Sequence, residues 1–314
     1  MNRRDFLLAA TATAALTPRL RSASVAPAPI PVIDTHTHFY DPARPEGVPW
    51  PSKSDPLLYR TVLPPEFRAL TATFNVVGTV IVEASEWLED NQWILDLAKA
   101  DPLIVGFVGH LKPGQPGFAE NLRRFAANPL FRGMRIRLSD LKNVGDATFD
   151  SDLRRVADAG LTIDTLGGAS SLAPTLALAK RFPSLRIVID HLPFRDWDGQ
   201  PAALRVALAP LAAQANIFAK ISDVVRRLDI KVIDDPAFYR PGLDALLDLF
   251  GPKRVFYGSN WPVSNKAAPY ASVHHVVANY FSVQPRAVAE GYFWRNSHAA
   301  YRWLSRGAAA SLVP

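Results

Sequence analysis

The run Val32-Ile33-Asp34-Thr35-His36-Thr37-His38-Phe39 decides the architecture of this chain of 314 residues. It opens on a β-branched pair, turns polar, and holds no glycine. An open doubly wound sheet needs a glycine-rich phosphate turn directly after its first strand, so that fold has no foothold here. The pattern of a short β-branched run, a polar loop and an apolar stripe at helical spacing then recurs along the chain. Strands are expected to start near Val32, Val76, Leu103, Gly133, Thr162, Arg186, Ile217 and Val255. Helices are expected at Trp93–Ala100, Phe118–Ala127, Leu153–Ala159, Leu172–Arg181, Ala202–Gln214 and Leu243–Phe250. Such spacing is what repeated βαβ crossovers require. Eight alternating units without a second compositional zone predict an α/β fold, one single-domain (β/α)8 TIM barrel over residues 27–314. The Pro-rich stretch Asp41–Pro65 is then a long insertion after the first strand, placed to wall the barrel mouth.

Composition narrows the chemistry. An apolar share of 48%, with 7 Trp and 17 Phe, excludes a disordered chain. The absence of cysteine removes disulfides, thiolate zinc sites and cysteine nucleophiles together. Residues 1–26 read as an address. Arg3-Arg4-Asp5-Phe6-Leu7 precedes an apolar run ending at Leu16, which is too short to span a membrane, and Ser24-Val25-Ala26 has the form of a cleavage site. The segment resembles a twin-arginine signal, which implies the twin-arginine export machinery as a partner and a periplasmic location. Its removal takes Arg3, Arg4, Arg19, Arg21 and Asp5 and lowers the net charge from +6 to +3. No Lys/Arg cluster interleaved with aromatics remains, so nucleic acid is not an expected partner.

In a barrel of this kind the chemistry gathers where strands end. The polar residues expected there are His36, His38, Glu83, His110, Arg135, Arg137, Asp164, His191, Lys220, Ser222 and Asn260. His36 and His38 lie two apart on a strand and share a face, and two neutral imidazoles side by side can ligate one divalent cation. Arg135 and Arg137 share a face for the same reason. They suit an anionic substrate gripped through its carboxylate, or else they pair with a neighbouring acid such as Asp164. Lys220, in the apolar run Phe218-Ala219-Lys220-Ile221, must reach a partner or solvent. It is expected at the mouth as an anion ligand or oxyanion stabiliser. Glu83 is a catalytic candidate or one half of a structural ion pair, and His110 a further substrate-binding candidate. Trp50, Tyr59, Trp87 and Trp197 fall in loops that would rim the opening.

The opening run, extended through Tyr40-Asp41-Pro42, resembles the start of the amidohydrolase superfamily. More closely it resembles the amidohydrolase-related group that includes sugar-acid and aromatic-ring-cleavage lactonases. Further stretches carry the likeness in order: Thr79–Ala84, Gly106–Leu111, Phe131–Arg137, Ile189–Leu192, Ala219–Ser222, Val255–Pro262 and Asn296–Tyr301. The resemblance implies the same barrel and a metal-dependent hydrolase, with His36, His38 and His191 holding one zinc ion. Some lactonases of the group work without metal, in which case the histidines polarise the carbonyl or relay protons.

The sequence departs from the family at the eighth strand, where Asn260 stands in place of the usual aspartate. An amide cannot take a proton at neutral pH, though its oxygen can orient water. The fourth strand has arginines where binuclear members keep a bridging lysine, and the fifth ends at Asp164-Thr165 without a histidine, which argues against a binuclear site. The base is left open between metal hydroxide, a histidine and Glu83. The expected reaction is hydrolysis of a lactone or related ester of an anionic small molecule, with His191, Glu83, Lys220 and Asn260 as the catalytic set. Two alternatives stand beside it: a non-oxidative decarboxylase, and a periplasmic small-acid binder that has lost turnover with its eighth-strand acid.

Overall fold

Seven of the eight expected strands pair in sequence order, and the eighth follows after a hairpin. The computed structural model describes residues 28–313 apart from 167, 194–196, 198 and 229, so the export signal read at residues 1–26 lies outside the described residues. The strands are β1 (Val32–Thr37), β2 (Val76–Val82), β3 (Ile104–Gly109), β4 (Phe131–Arg137), β5 (Thr162–Leu166), β6 (Arg186–Leu192) and β7 (Ile217–Ile221). The hairpin strands β8 (Arg226–Leu228) and β9 (Lys231–Ile233) come next, then β10 (Val255–Tyr257). The large sheet runs β1-β2-β3-β4-β5-β6-β7-β10, parallel throughout, with helices between most neighbours. Its two edges meet where Thr37 pairs with Trp261 and the His38 N–H donates to the Trp261 carbonyl at 2.9 Å. The fold is a single-domain (β/α)8 TIM barrel.

Because both faces of each strand are covered, the strands read as near-continuous apolar runs. Alternate residues go to two different layers. Ile81, Phe107, Met134, Ile163, Ile187 and Ile217 face the helices and belong to the main core. Val80, Val82, Val188, Phe218 and Phe256 point into the barrel, where Tyr301 and Trp303 of the C-terminal segment join them. Each such side chain contributes roughly 1.5–3 kcal/mol on burial. This apolar plug fills the lower barrel, and the polar inward positions stack above it.

Strand 3 begins at Ile104 and strand 4 at Phe131, close to the expected Leu103 and Gly133. Two helices begin well before their apolar stripes. Ala147–Asp158 starts where Asp146 accepts hydrogen bonds from the Thr148 and Phe149 N–H groups. Pro236–Phe250 starts with Asp235 accepting from Ala237 and a proline in the first turn. Pro241 reads as a breaker but is taken up inside this helix. The antiparallel β8–β9 hairpin was not anticipated, since three-residue strands leave no alternation to read. The insertion after β1 is tied down by an antiparallel bridge between Tyr40 and Val62 and by an ion pair of 2.7 Å between Asp55 and Lys266. That brings Trp50 over the mouth, its ring 5.9 Å from that of His38. Among the described residues no helix is long and apolar enough to cross a membrane.

Candidate active site

Above the plug, the inward positions of the strands change from apolar to charged. Arg135 on β4 donates from Nε to Glu83 Oε1 at 2.9 Å and from a terminal nitrogen to the Glu83 carbonyl at 2.8 Å. Arg137 reaches the same carboxylate at 3.4 Å and pairs also with Glu86. The acid that the two arginines meet is therefore Glu83, one residue past β2, and not Asp164. Glu83 Oε2 stays buried without a protein partner.

The three histidines of the sequence reading converge from β1 and β6. The ring of His36 lies 5.0 Å from that of His38 and 4.4 Å from that of His191. His38 Nδ1 sits 2.9 Å from the Val82 carbonyl, which can only accept, so this nitrogen carries the proton. His38 Nε2 is then a lone pair, 3.1 Å from Asn260 Oδ1. Two acceptors cannot bond, so hydrogen-bonding logic exchanges the amide's oxygen and nitrogen, with Nδ2 donating to His38 and the oxygen turned away. Ser222 Oγ meets both the backbone N–H of His191, at 3.2 Å, and its Nδ1, at 3.0 Å. Burial lowers His38 to about 3 and His191 to about 4. Burial and then the Lys220 ammonium hold His36 well below its ordinary value. All three are neutral imidazoles.

Lys220 lies beneath them, fully buried on β7. Its ammonium is 2.8 Å from Asp164 Oδ2, 2.9 Å from Asp190 Oδ1 and 3.3 Å from His36 Nδ1. Burial pushes both aspartates up; for Asp190 the Lys220 ammonium and His36 outweigh this and hold it well below the carboxylate range, whereas Asp164 stays raised. Lys220 therefore does not reach the mouth as an oxyanion ligand. A buried ammonium needs compensating charge, and it finds one carboxylate on each of the next two strands, β6 and β5.

These residues floor a cavity of about 970 Å³ at the mouth. His38, Glu83, Arg135, Arg137, His191 and Asn260 line it. His36 and Lys220 lie below, and His110 faces a separate adjoining cavity of about 250 Å³ rather than the substrate space. Three lining residues just at or beyond the ends of β6, β7 and β10 adopt left-handed backbone: His191 at φ 63°, Asp223 at 50° and Asn260 at 63°. Non-glycine residues in that region cluster at functional sites and cost of order 1–3 kcal/mol each. Here the left-handed residues turn side chains from three adjacent strands into one cavity.

Four contributors escaped the sequence reading as site residues: Asp190, Asp223, Glu86 and the supporting Asp34. Asp190 had a signal, an acid closing the apolar run Ile187-Val188-Ile189. Asp34 accepts from the N–H of His36 at 3.2 Å and of Ser259 at 2.9 Å, which joins the end of β1 to the loop after β10. Nothing local marks Asp34 as more than a strand residue.

A divalent cation has a donor set here that includes two of the three expected histidines. His36, Asp190 and His191 offer ligand atoms all within 4.8 Å of one another. His38 stands outside this set, with Nδ1 against the Val82 carbonyl and Nε2 against Asn260. His36 Nε2 and Asp190 Oδ2 are buried and without a protein partner, and two imidazoles with a carboxylate are a familiar combination for zinc. The residues present therefore fit a metal ion.

Comparison with known proteins agrees with this geometry. The model of the family described as Amidohydrolase matches residues 33–303. An L-fucono-1,5-lactonase of Burkholderia ambifaria is 32% identical over 246 residues, 76% of this chain and 82% of that protein. An L-fucono-1,5-lactonase of Burkholderia multivorans is 28% identical over 293 residues, 89% of this chain and 98% of that one. A crystal structure of a Burkholderia multivorans amidohydrolase with bound zinc superposes with a TM-score of 0.77 at 26% identity, covering 87% of this chain and 100% of the other. The chain belongs to the amidohydrolase family.

Proposed function

We propose that this protein hydrolyses a neutral, polyhydroxylated lactone, the internal ester of a sugar acid. The observation that carries the reading is the neutral histidine cluster at the floor of a cavity whose cations already have partners. Arg135 and Arg137 are bonded to Glu83 and Glu86, and Lys112 lies 3.8 Å from Glu86. Among the described lining residues no cation is left over for a substrate carboxylate, which turns the expectation away from an anionic substrate. Fixed carboxylate–guanidinium pairs instead offer alternating acceptors and donors to sugar hydroxyls. The two L-fucono-1,5-lactonases act, by their names, on such a molecule.

The chain's own groups divide the work as follows. His191 has Nδ1 against Ser222 Oγ, which leaves Nε2 for the cavity. When the Ser222 hydroxyl donates into Nδ1, Nε2 carries a proton and can hold the oxyanion that forms as water adds to the ring carbonyl. Asn260 accepts from the attacking water through its oxygen but cannot take its proton. Glu83 Oε2, an unpartnered carboxylate oxygen fixed by Arg135 through Oε1, takes that proton and returns it to the departing ring alkoxide. A hydroxy acid is released. A cation held by His36, Asp190 and His191 would replace the His191 Nε2 proton and supply Lewis-acid polarisation of the carbonyl in its place.

The test is a panel of sugar-acid lactones assayed with the protein as purified and after zinc loading. Glu83→Gln should lower kcat by about 100-fold or more, in line with the usual worth of a general base. Carbon dioxide release from aromatic carboxylates would favour the decarboxylase alternative. Tight lactone or acid binding without turnover would favour the binder.

A further inference from the structure

The buried ammonium beneath the histidines has a consequence for the cation cluster above it. Lys220 has three N–H donors and no acceptor. It hydrogen-bonds to Asp164 Oδ2 at 2.8 Å and to His36 Nδ1 at 3.3 Å, and lies in ion-pair contact with Asp190 Oδ1 at 2.9 Å. His36 must therefore meet it with a lone pair at Nδ1, and its own proton sits on Nε2. Lys220 is itself clamped in place. The Tyr301 hydroxyl donates to Asp164 Oδ2 at 2.6 Å, and the Tyr301 ring lies 5.1 Å from the ammonium.

We propose that Lys220 is a resident cation that competes with a divalent metal for the His36–Asp190–His191 cluster. It holds His36 in the Nε2–H tautomer, which donates into the site and cannot ligate through that nitrogen. For His36 to bind a metal at Nε2, its proton must move to Nδ1. The acceptor then nearest is Asp190 Oδ1, at 3.6 Å, and Lys220 loses one of its three partners. The same ammonium also draws on the carboxylate that a metal would need. His191 is not constrained in this way, because the Ser222 hydroxyl can either donate to Nδ1 or accept from it. The metal-free site thus already holds a positive charge on its lower side, and metal occupancy is set by how firmly Lys220 is held. This inference rests on the cation cluster and not on the lactone reading, so an inert lactone panel leaves it standing.

Two measurements test it. In the full chain stripped of metal, the ring nitrogen shifts of 15N-histidine, with His36 assigned by the loss of its signal in His36→Gln, should show protonated Nε2 and bare Nδ1. Protonated Nδ1 overturns the proposal, and the state itself is read in the wild-type chain. Zinc titration by calorimetry then compares the wild type with Lys220→Met, and with the charge-balanced Lys220→Met/Asp164→Asn. Removing a like charge at this range should tighten zinc binding roughly 10- to 1000-fold, with one ion per chain. Unchanged affinity in a folded variant overturns the proposal.

Discussion

Gly258 shows how closely the site depends on single residues. It follows β10 directly, and a Cβ built there would lie 2.8 Å from His36 Cβ and 3.2 Å from Ser222 Cβ. Both neighbours are backbone-proximal atoms that cannot swing aside. Gly258→Ala should therefore push His36 and Ser222 apart, costing about 1–3 kcal/mol in stability. Lactone turnover should drop by about 100-fold, since a displacement near 1 Å in an active site has that effect. Urea unfolding and kcat together check this, and full activity would remove Gly258 from the support of the cluster. At this scale the sequence was legible where parity sufficed. Two-residue spacing placed Arg135 with Arg137 and His36 near His38. It was not legible where partners came from elsewhere: the acid that meets the arginines, the amide that meets His38, and the carboxylates that hold Lys220.

At the level of elements, the strands and most helices announced themselves because their apolar periodicity is local and strong. The helices Ala147–Asp158 and Pro236–Phe250 extend ahead of their apolar stripes because their first turns rest on an aspartate cap and, in the second, a proline. The β8–β9 hairpin stands between β7 and the following helix with no periodic signal at all. Residues 1–26 pose the opposite case, a segment legible only as sequence. We propose that they direct export through the twin-arginine route. Replacing Arg3 and Arg4 together by Lys should leave the protein in the cytoplasm on cell fractionation, and unchanged recovery from the periplasm would refute the signal.

For the molecule as a whole, burial of so many histidines couples stability to pH. Burial holds His38 at about 3 and both His191 and His274 at about 4, with His36 also well below 6.5. In the unfolded chain each would take a proton near 6.5. The stability they contribute is therefore whole above pH 6.5 and is lost as the pH falls toward the folded values. Asp34 works the other way, because burial raises it to about 6, and Asp164 is raised as well. Each adds stability as the pH falls through its folded value toward 3.8. With His110 and His298 also lowered by burial, six histidines oppose these two raised acids, so net stability should fall between pH 6.5 and 4. Urea midpoints measured across that window check the sign, and a midpoint that rises on acidification would contradict it.

The amino-acid sequence by itself determined the barrel, its single domain, and which residue types stand at the strand ends. Those properties follow from periods of two and of about 3.6 residues, which act within a few positions of one another. Only the tertiary structure decided which of those residues meet. Lys220 reaches Asp164 across 56 positions and Arg135 reaches Glu83 across 52. Such pairings depend on the register of neighbouring strands and on closure of the whole ring, and no local pattern records either. A buried charge must find its counter-charge wherever the completed fold places one. Tertiary structure thus gathers Asp190 beside His36 and His191 as candidate donors for a cation, and sets Lys220 on the floor beneath the substrate space rather than in it.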